Sequence, residues 1–226
     1  MSNQRTFDDA PQIVSPNESH MALLFLLDVS GSMSGAPITS LNESINKFKE
    51  QVCQDARTTQ ILDVAIVTFN HETQVVMPFS PVAYMEPVAL TASGGTEIAP
   101  AVETAINMVQ DRSRFYRHSG TEPYKPWIFM ISDGFGGDVT AVSEQVRQLE
   151  DGGYLKFFSL GVEGYDSKTL HQLCGEKVMK LNGYDFTGIL NWAQKSMRTV
   201  SVSSPGDKLN LPPLPDNVDK DVNDWF

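Results

Sequence analysis

The sequence is poor in cysteine and has no long apolar stretch. Its 2 cysteines, Cys53 and Cys174, match no metal-binding or redox motif, so we expect two buried, reduced thiols. The apolar run from Met21 to Leu27 is much shorter than the roughly 20 residues that span a bilayer. The polar start of the chain has no basic segment followed by an apolar core. We therefore expect no signal peptide and a cytoplasmic location.

Basic residues are also scarce. The 226 residues include 17 Lys and Arg against 28 Asp and Glu, which gives a net charge of −11. Such a charge disfavours nucleic acid and anionic membranes as partners, and it favours cations or basic protein surfaces. No Ser-His-Asp or Cys-His nucleophile arrangement is visible, and no Gly-Lys-Ser/Thr ending marks a P-loop.

Apolar runs alternate with helical stripes along most of the chain, which indicates an α/β fold with a mostly parallel sheet covered on both faces. We expect strands over 21–28, 61–69, 73–79, 126–132, 154–162 and 177–181, with 73–79 as an antiparallel edge strand and 111–126 irregular. The predicted organisation is an N-terminal arm (1–20), one domain (21–203) and a Pro-rich acidic tail (204–226) without helix or strand.

The most informative stretch follows the first strand. Asp28, Ser30 and Ser32 alternate along an extended segment, so their side chains can converge on one point, and Gly31 allows the backbone to turn between them. One carboxylate and two hydroxyls are hard oxygen ligands that suit Mg²⁺, with Mn²⁺ possible.

Two later segments offer the missing ligands. Asp133 follows another predicted strand in Ser132-Asp133-Gly134, and Thr96 ends the Gly-rich loop Ser93-Gly94-Gly95-Thr96 before a helix. Each residue alone is more typical of a helix cap. Together, at the carboxyl ends of strands, they predict an all-oxygen metal site at the switch point of a doubly wound sheet.

These five residues, in this order, resemble the metal-ion-dependent adhesion site (MIDAS) of von Willebrand factor type A (vWA) domains over residues 20–200. The resemblance implies a doubly wound, six-stranded sheet of order 3-2-1-4-5-6 with one antiparallel edge strand and helices on both faces. It implies direct or switchable metal contacts from the three hydroxyls and contacts through water from the two aspartates. The residues that it places on the partner-binding rim are Ser34, Gly35, Gly95 and Gly134.

Among vWA proteins, the segments 28–37 and 93–100 look most like the bacterial TerY-like proteins associated with tellurite resistance. That narrower resemblance implies a cytoplasmic bacterial protein in a stress or tellurite-resistance system, with a kinase or phosphatase of the same system as a possible partner.

The expected function is protein binding without catalysis, in which a partner's Asp or Glu fills an open position on the metal. One alternative is a Mg²⁺-dependent phosphoryl-transfer enzyme using Asp28, which is similar to the nucleophile of haloacid-dehalogenase-type phosphatases. That family has a second Asp two residues later, where this chain has Ser30. The other alternative is a purely structural metal.

Two further segments carry weaker predictions. The basic and aromatic segment 112–125 is either a docking patch or, as we favour, a solvated helix extension whose aromatics pack inward. Its position after a helix that runs away from the metal face predicts that it lies at the opposite end of the domain. Trp225, near the acidic C-terminus, is expected to dock on the domain or on a neighbour, and the alternative is a flexible tail.

Overall fold

The computed structural model describes residues 18–175 and 178–220 of the chain. The strands of this part are β1 (Met21–Asp28), β2 (Leu62–Phe69), β3 (Thr73–Pro81), β4 (Trp127–Ser132), β5 (Lys156–Gly161), β6 (Val178–Leu181) and β7 (Val218–Lys220). The α-helices are α1 (Ala36–Val52), α2 (Ala56–Ile61), α3 (Ile98–His118), α4 (Thr140–Asp151), α5 (Ser167–Cys174) and α6 (Thr187–Ser201). The short helix α2 was not expected from the sequence.

The strands form one sheet of order β3-β2-β1-β4-β5-β6-β7. As predicted, β1 is central and parallel to both β2 and β4, and β3 is an antiparallel edge. The sheet has a seventh strand in addition to the six expected, because β7 pairs antiparallel with β6 at the other edge.

The uniform apolar character of β1 follows from burial on both faces of the sheet. Leu23, Phe25 and Leu27 pack with α1 and α6 on one face, whereas Leu24 and Leu26 pack with α3 and α4 on the other. All five are fully buried. Because neighbouring residues of a strand point to opposite faces, one apolar run serves two cores.

Helix α3 is longer than the sequence indicated, since it extends to His118 through a segment expected to be irregular. Arg112 and Tyr116 are buried in its last turns, and both donate to Asp63 at the start of β2. Arg112 Nη2 lies 2.6 Å from Asp63 Oδ2. A charged residue is compatible with this apolar face only because a distant strand supplies its counter-charge.

This ion pair also locates the basic segment. Asp63 stands at the amino end of a parallel strand, so the segment lies at the end of the domain opposite the carboxyl ends of the strands, as predicted. Arg114 pairs with Asp111, and Arg117 lies 3.8 Å from Glu122. The segment therefore presents largely compensated charges.

The prediction of a C-terminal tail without helix or strand is wrong for the described residues. Leu209, Leu211 and Leu214 pack against the core, and the main-chain oxygen of Pro212 accepts a 2.8 Å hydrogen bond from Trp192 Nε1. The chain then enters β7. The leucines of this proline-rich segment thus hold it against the domain beside α6. Trp225, which we expected to dock, lies outside the described residues.

The cysteine prediction is half correct. Cys174 is buried, but Cys53 is exposed just after the last residue of α1, and both are reduced. None of the helices in the described part of the chain combines the length and apolar character needed to cross a membrane.

Candidate metal centre

Asp28 is the most enclosed of the predicted ligands. It ends β1 and is fully buried. Its Oδ1 accepts a hydrogen bond from the Ser30 N–H at 2.8 Å, and its Oδ2 accepts one from Ser132 Oγ at 2.6 Å. Both oxygens are therefore oriented by the protein, one by the loop that follows β1 and one by the neighbouring strand β4.

The electrostatics of Asp28 favour a cation nearby. Burial raises the pKa of this carboxyl above its ordinary value, the hydrogen bonds from Ser132 and Ser30 lower it, and the charge of Asp133 raises it again. The net increase means that protein groups alone compensate the carboxylate incompletely. A bound cation would lower this pKa and supply the missing compensation.

Ser30 and Ser32 present adjacent hydroxyls on the loop after β1. Their Oγ atoms are 2.9 Å apart, Ser30 is buried and Ser32 is exposed. Ligands about 2.1 Å from an octahedral ion stand about 3 Å from their neighbours, so this separation fits two adjacent positions on Mg²⁺. Gly31, between them, donates its N–H to the Gly94 main-chain oxygen at 2.9 Å.

The loop that carries Thr96 is fastened to the same region. Ser93 donates its N–H to Val29 O at 2.8 Å, and its own main-chain oxygen accepts from Asn70 Nδ2 at 3.0 Å. Thr96 is half-buried, and within the described residues its hydroxyl has no hydrogen-bond partner. It precedes α3, which begins at Ile98. Its hydroxyl is available as a ligand.

Asp133 directly follows β4, beside the end of β1. It is 6% exposed, its Oδ1 accepts from the Phe135 N–H at 3.1 Å, and no described residue donates to its other oxygen. The loop after it touches Thr96, because a Cβ added to Gly136 would stand 2.7 Å from Thr96 O. Asp133 thus carries an oriented carboxylate with one oxygen left for an ion or its water.

The structure brings the five predicted ligands to the carboxyl ends of β1 and β4 and to the adjoining loops. Described residues include no group of three or more His, Cys, Asp or Glu side chains that could hold a metal. The donor set is instead two carboxylates and three hydroxyls, all hard oxygens. This set, with the close pair of serine hydroxyls, fits Mg²⁺ or a similar divalent ion.

The predicted rim residues have different environments. Ser34, Gly35 and Gly95 are exposed. Gly134 is buried, with φ 75°, and a Cβ there would meet Leu170 of α5 at 3.0 Å. Gly134 therefore lies against the domain, whereas the exposed Phe135 beside it faces outward.

Ser132 and Gly136 also belong to the metal centre, but they were not predicted from the sequence. Ser132 binds the buried carboxylate of Asp28, and Gly136 leaves the space that Thr96 occupies. Ser132 directly precedes the proposed ligand Asp133 in the sequence, but only the pairing of β4 with β1 shows that Ser132 faces Asp28. Nothing in the sequence near Gly136 indicates its contact with Thr96, about forty residues earlier.

A family model for the von Willebrand factor type A domain matches residues 22–189. Comparison with curated proteins returned no match. Among solved structures, the pilus adhesin SpaC from Lactobacillus rhamnosus GG is 13% identical with a TM-score of 0.67, over 81% of this chain and 30% of that one. The vWF domain of the pili tip protein Mfa5 from Porphyromonas gingivalis is 11% identical with a TM-score of 0.62, over 84% and 98%.

Proximal thread matrix protein 1 from the mussel byssus, in a structure with a zinc-occupied MIDAS motif, is 19% identical with a TM-score of 0.55, over 81% of this chain and 45% of that one. Five of the similar solved chains, including those of SpaC and the byssus protein, are matched over only 30–49% of their own length. At these identities the likeness shows the fold alone.

Proposed function

This chain belongs to the von Willebrand factor type A family, and we propose that it is a metal-dependent protein-binding module. Ser30, Ser32 and Thr96 would hold a divalent ion directly, and Asp28 and Asp133 would hold it through water. The bound ion supplies a positive centre at which an oxygen ligand from outside can be exchanged. The partner offers that ligand as an exposed Asp or Glu side chain.

The observation that carries this proposal is the arrangement of the hydroxyls. Ser30 Oγ and Ser32 Oγ stand side by side at 2.9 Å, while Ser32 is exposed. Three hydroxyls leave part of an octahedral shell to water. The direct ligands would be uncharged hydroxyls, and water would separate both aspartates from the ion. A partner's carboxylate can therefore replace a water and make the first direct charged contact.

The burial and hydrogen bonds of Asp28 favour a partner-binding role for the site over phosphoryl transfer. A nucleophilic carboxylate must reach its substrate, but Asp28 is fully buried and both of its oxygens accept hydrogen bonds. The position two residues later, where the related phosphatases have a second Asp, is Ser30. We accordingly propose no enzymatic activity for this domain.

The proposal also covers the identity of the metal, the binding role and the cellular setting. Hard oxygen ligands favour Mg²⁺ or Mn²⁺, although the zinc-occupied neighbour makes the metal a question for direct measurement. Several neighbours are pilus adhesins or matrix proteins, which suits a binding role. The comparisons give no support for the TerY-like resemblance, so a cytoplasmic bacterial role in tellurite resistance or stress, with a kinase or phosphatase as partner, stays a prediction.

The test uses peptides selected from a random library on the full chain in Mg²⁺. We expect the selected peptides to contain an Asp or Glu, and to lose binding in EDTA or when that acid is changed to its amide. Thr96→Ala should weaken peptide binding without lowering stability to the same degree. Thr199→Ala, near the end of α6, is the matched control and should bind normally. Failure to select any peptide whose binding requires both the metal and its own acid would contradict the proposal. If the chain binds Mg²⁺ but no such peptide, the ion is structural.

A further inference from the structure

A groove of about 960 Å³ runs beside the metal centre along the edge of the sheet. One wall is strand β3. The other wall is the segment 85–91, here called the ribbon, which is neither helix nor strand and leads from β3 back towards the Thr96 loop. The groove opens at one end onto Val29 and Ser93, which fasten the metal loops to each other.

Helix α1 holds the ribbon by side chains that imitate a neighbouring strand. Asn42 donates to Leu90 O at 2.9 Å and accepts from Leu90 N at 2.7 Å. Asn46 makes the same pair of bonds to Val88, both at 2.9 Å. One turn further along α1, Lys49 Nζ donates to Met85 O at 2.6 Å. These residues recur on one face of the helix, so the ribbon is fixed in an extended form.

The fixed ribbon has a free main-chain edge. Val88 and Leu90 direct their N–H and C=O groups to α1, so the alternate residues Ala89 and Thr91 direct theirs away from it. Both alternate residues line the groove. Within the described residues, their main-chain groups make no hydrogen bond. Unpaired groups in a row are a template for another strand.

The opposite wall offers a second edge. β3 is the last strand of the sheet on this side, so alternate residues direct their main-chain groups away from β2. Pro78 has no N–H to donate, and the register with β2 shifts between Val75 and Met77, which leaves Thr73–Val75, nearest the metal loops, as the regular part able to pair. Of the two adjacent exposed valines of β3, Val76 lines the groove and Val75 does not.

The charges of the groove define its occupant. Glu72 near the metal end and Glu86 on the ribbon are the charged side chains in its lining, and no Lys or Arg lines it. We propose that the groove binds an extended, lysine- or arginine-bearing segment of a partner protein, which pairs as an added strand with the β3 edge and the ribbon. Main-chain bonds would supply affinity, and the two glutamates would select a basic segment. This inference does not depend on the metal.

The test selects random peptides on the full chain in EDTA, where metal-mediated contacts are removed. We expect basic peptides whose affinity falls about tenfold or more on Val76→Lys, because a lysine in the groove repels them and obstructs strand pairing. Val75→Lys places the same charge on the adjacent residue outside the groove and should leave affinity unchanged. Methylation of alternate peptide nitrogens should also weaken binding, since it removes main-chain donors.

Selection of no peptide that distinguishes the Val76→Lys chain from the Val75→Lys chain would overturn the proposal. A photo-crosslinking phenylalanine analogue in place of the exposed, groove-lining Tyr84 identifies the occupant directly. A crosslink to the selected peptide supports the proposal. A crosslink to residues 1–17 of the same chain, or to a second copy of the chain, that the peptide does not displace would show a different occupant and overturn it.

Discussion

Ser132 donates its hydroxyl hydrogen to Asp28, with Oγ 2.6 Å from Oδ2, and thereby joins the ends of strands β4 and β1 beneath the metal centre. Both residues are fully buried, and Ser132 Oγ also accepts from the Gly134 N–H at 2.9 Å. The serine therefore orients a carboxylate that the metal centre uses and fixes the start of the loop after Asp133.

Removal of this hydroxyl should weaken metal binding. We expect Ser132→Ala to lower Mg²⁺ affinity about 10- to 100-fold, the usual effect of removing a group that orients a metal ligand. Ser159→Ala is a matched control, because this buried serine on β5 has no hydrogen-bond partner among the described residues. Calorimetric titration would measure both, and equal affinities in the two variants would contradict the orienting role of Ser132.

The close approach of Gly136 to Thr96 gives a second prediction. A Cβ at position 136 would lie 2.7 Å from Thr96 O and 2.9 Å from Thr96 Cβ, so Gly136→Ala must displace the threonine. We expect at least about tenfold weaker Mg²⁺ binding. Gly95→Ala, beside Thr96 but with nothing within 4 Å of the added Cβ, is the control. Normal metal affinity in the Gly136→Ala chain would remove Thr96 from the ligand set.

The buried pair of Asp63 and Arg112 should matter for stability but not for the metal. Asp63→Asn leaves the Arg112 charge buried without its partner and should lower the free energy of unfolding by about 3–5 kcal/mol. The double variant with Arg112→Met should recover part of this loss. Arg114→Met, in an exposed pair, should have little effect. Urea unfolding of each variant measures stability, and Mg²⁺ titration measures metal affinity. A change in metal affinity would show that the ion pair at one end of the domain affects the metal centre at the other.

Asp55 gives a prediction for pH. It caps α2 by accepting from the Thr58 hydroxyl and from the Thr58 N–H, the latter at 3.0 Å. The hydroxyl bond, more than any other cause, holds the pKa of Asp55 below its ordinary value of 3.8. The unfolded chain therefore takes up its proton first as the pH falls. The stabilisation is complete above that ordinary value and disappears as the pH falls through the lower folded pKa.

Asp55→Ala should consequently cost about 1 kcal/mol of unfolding free energy near neutral pH, and the difference should shrink in acid. Asp55→Asn should retain most of the cap, because an amide oxygen still accepts, but should lose its pH dependence. Urea unfolding over a pH series provides the measurement. A constant difference between the Asp55→Ala chain and the original at all pH values would show that the carboxylate form is not the stabilising one.

Residue patterns alone predicted the α/β class, the central position of β1 and the candidate ligands. Strand and helix periodicities are local, and β1 is apolar along its length because both of its faces are covered. Asp28, Ser30 and Ser32 alternate within one short segment, so their convergence follows from backbone geometry. Asp133 and Thr96 could be added to the predicted ligand set because parallel strands end at the same edge of the sheet.

Features that depend on contacts between distant segments are visible only in the folded chain. Arg112 continues α3 because Asp63, 49 residues earlier, neutralises it inside the domain. The Pro-rich C-terminal segment packs along α6 and ends as β7 because Trp192 and the open edge of β6 provide hydrogen-bond partners. Ser132 and Gly136 belong to the metal centre through neighbours that strand order and loop packing bring to them. In each case the energetically decisive partner is remote in the chain, so no local pattern of residue types encodes it.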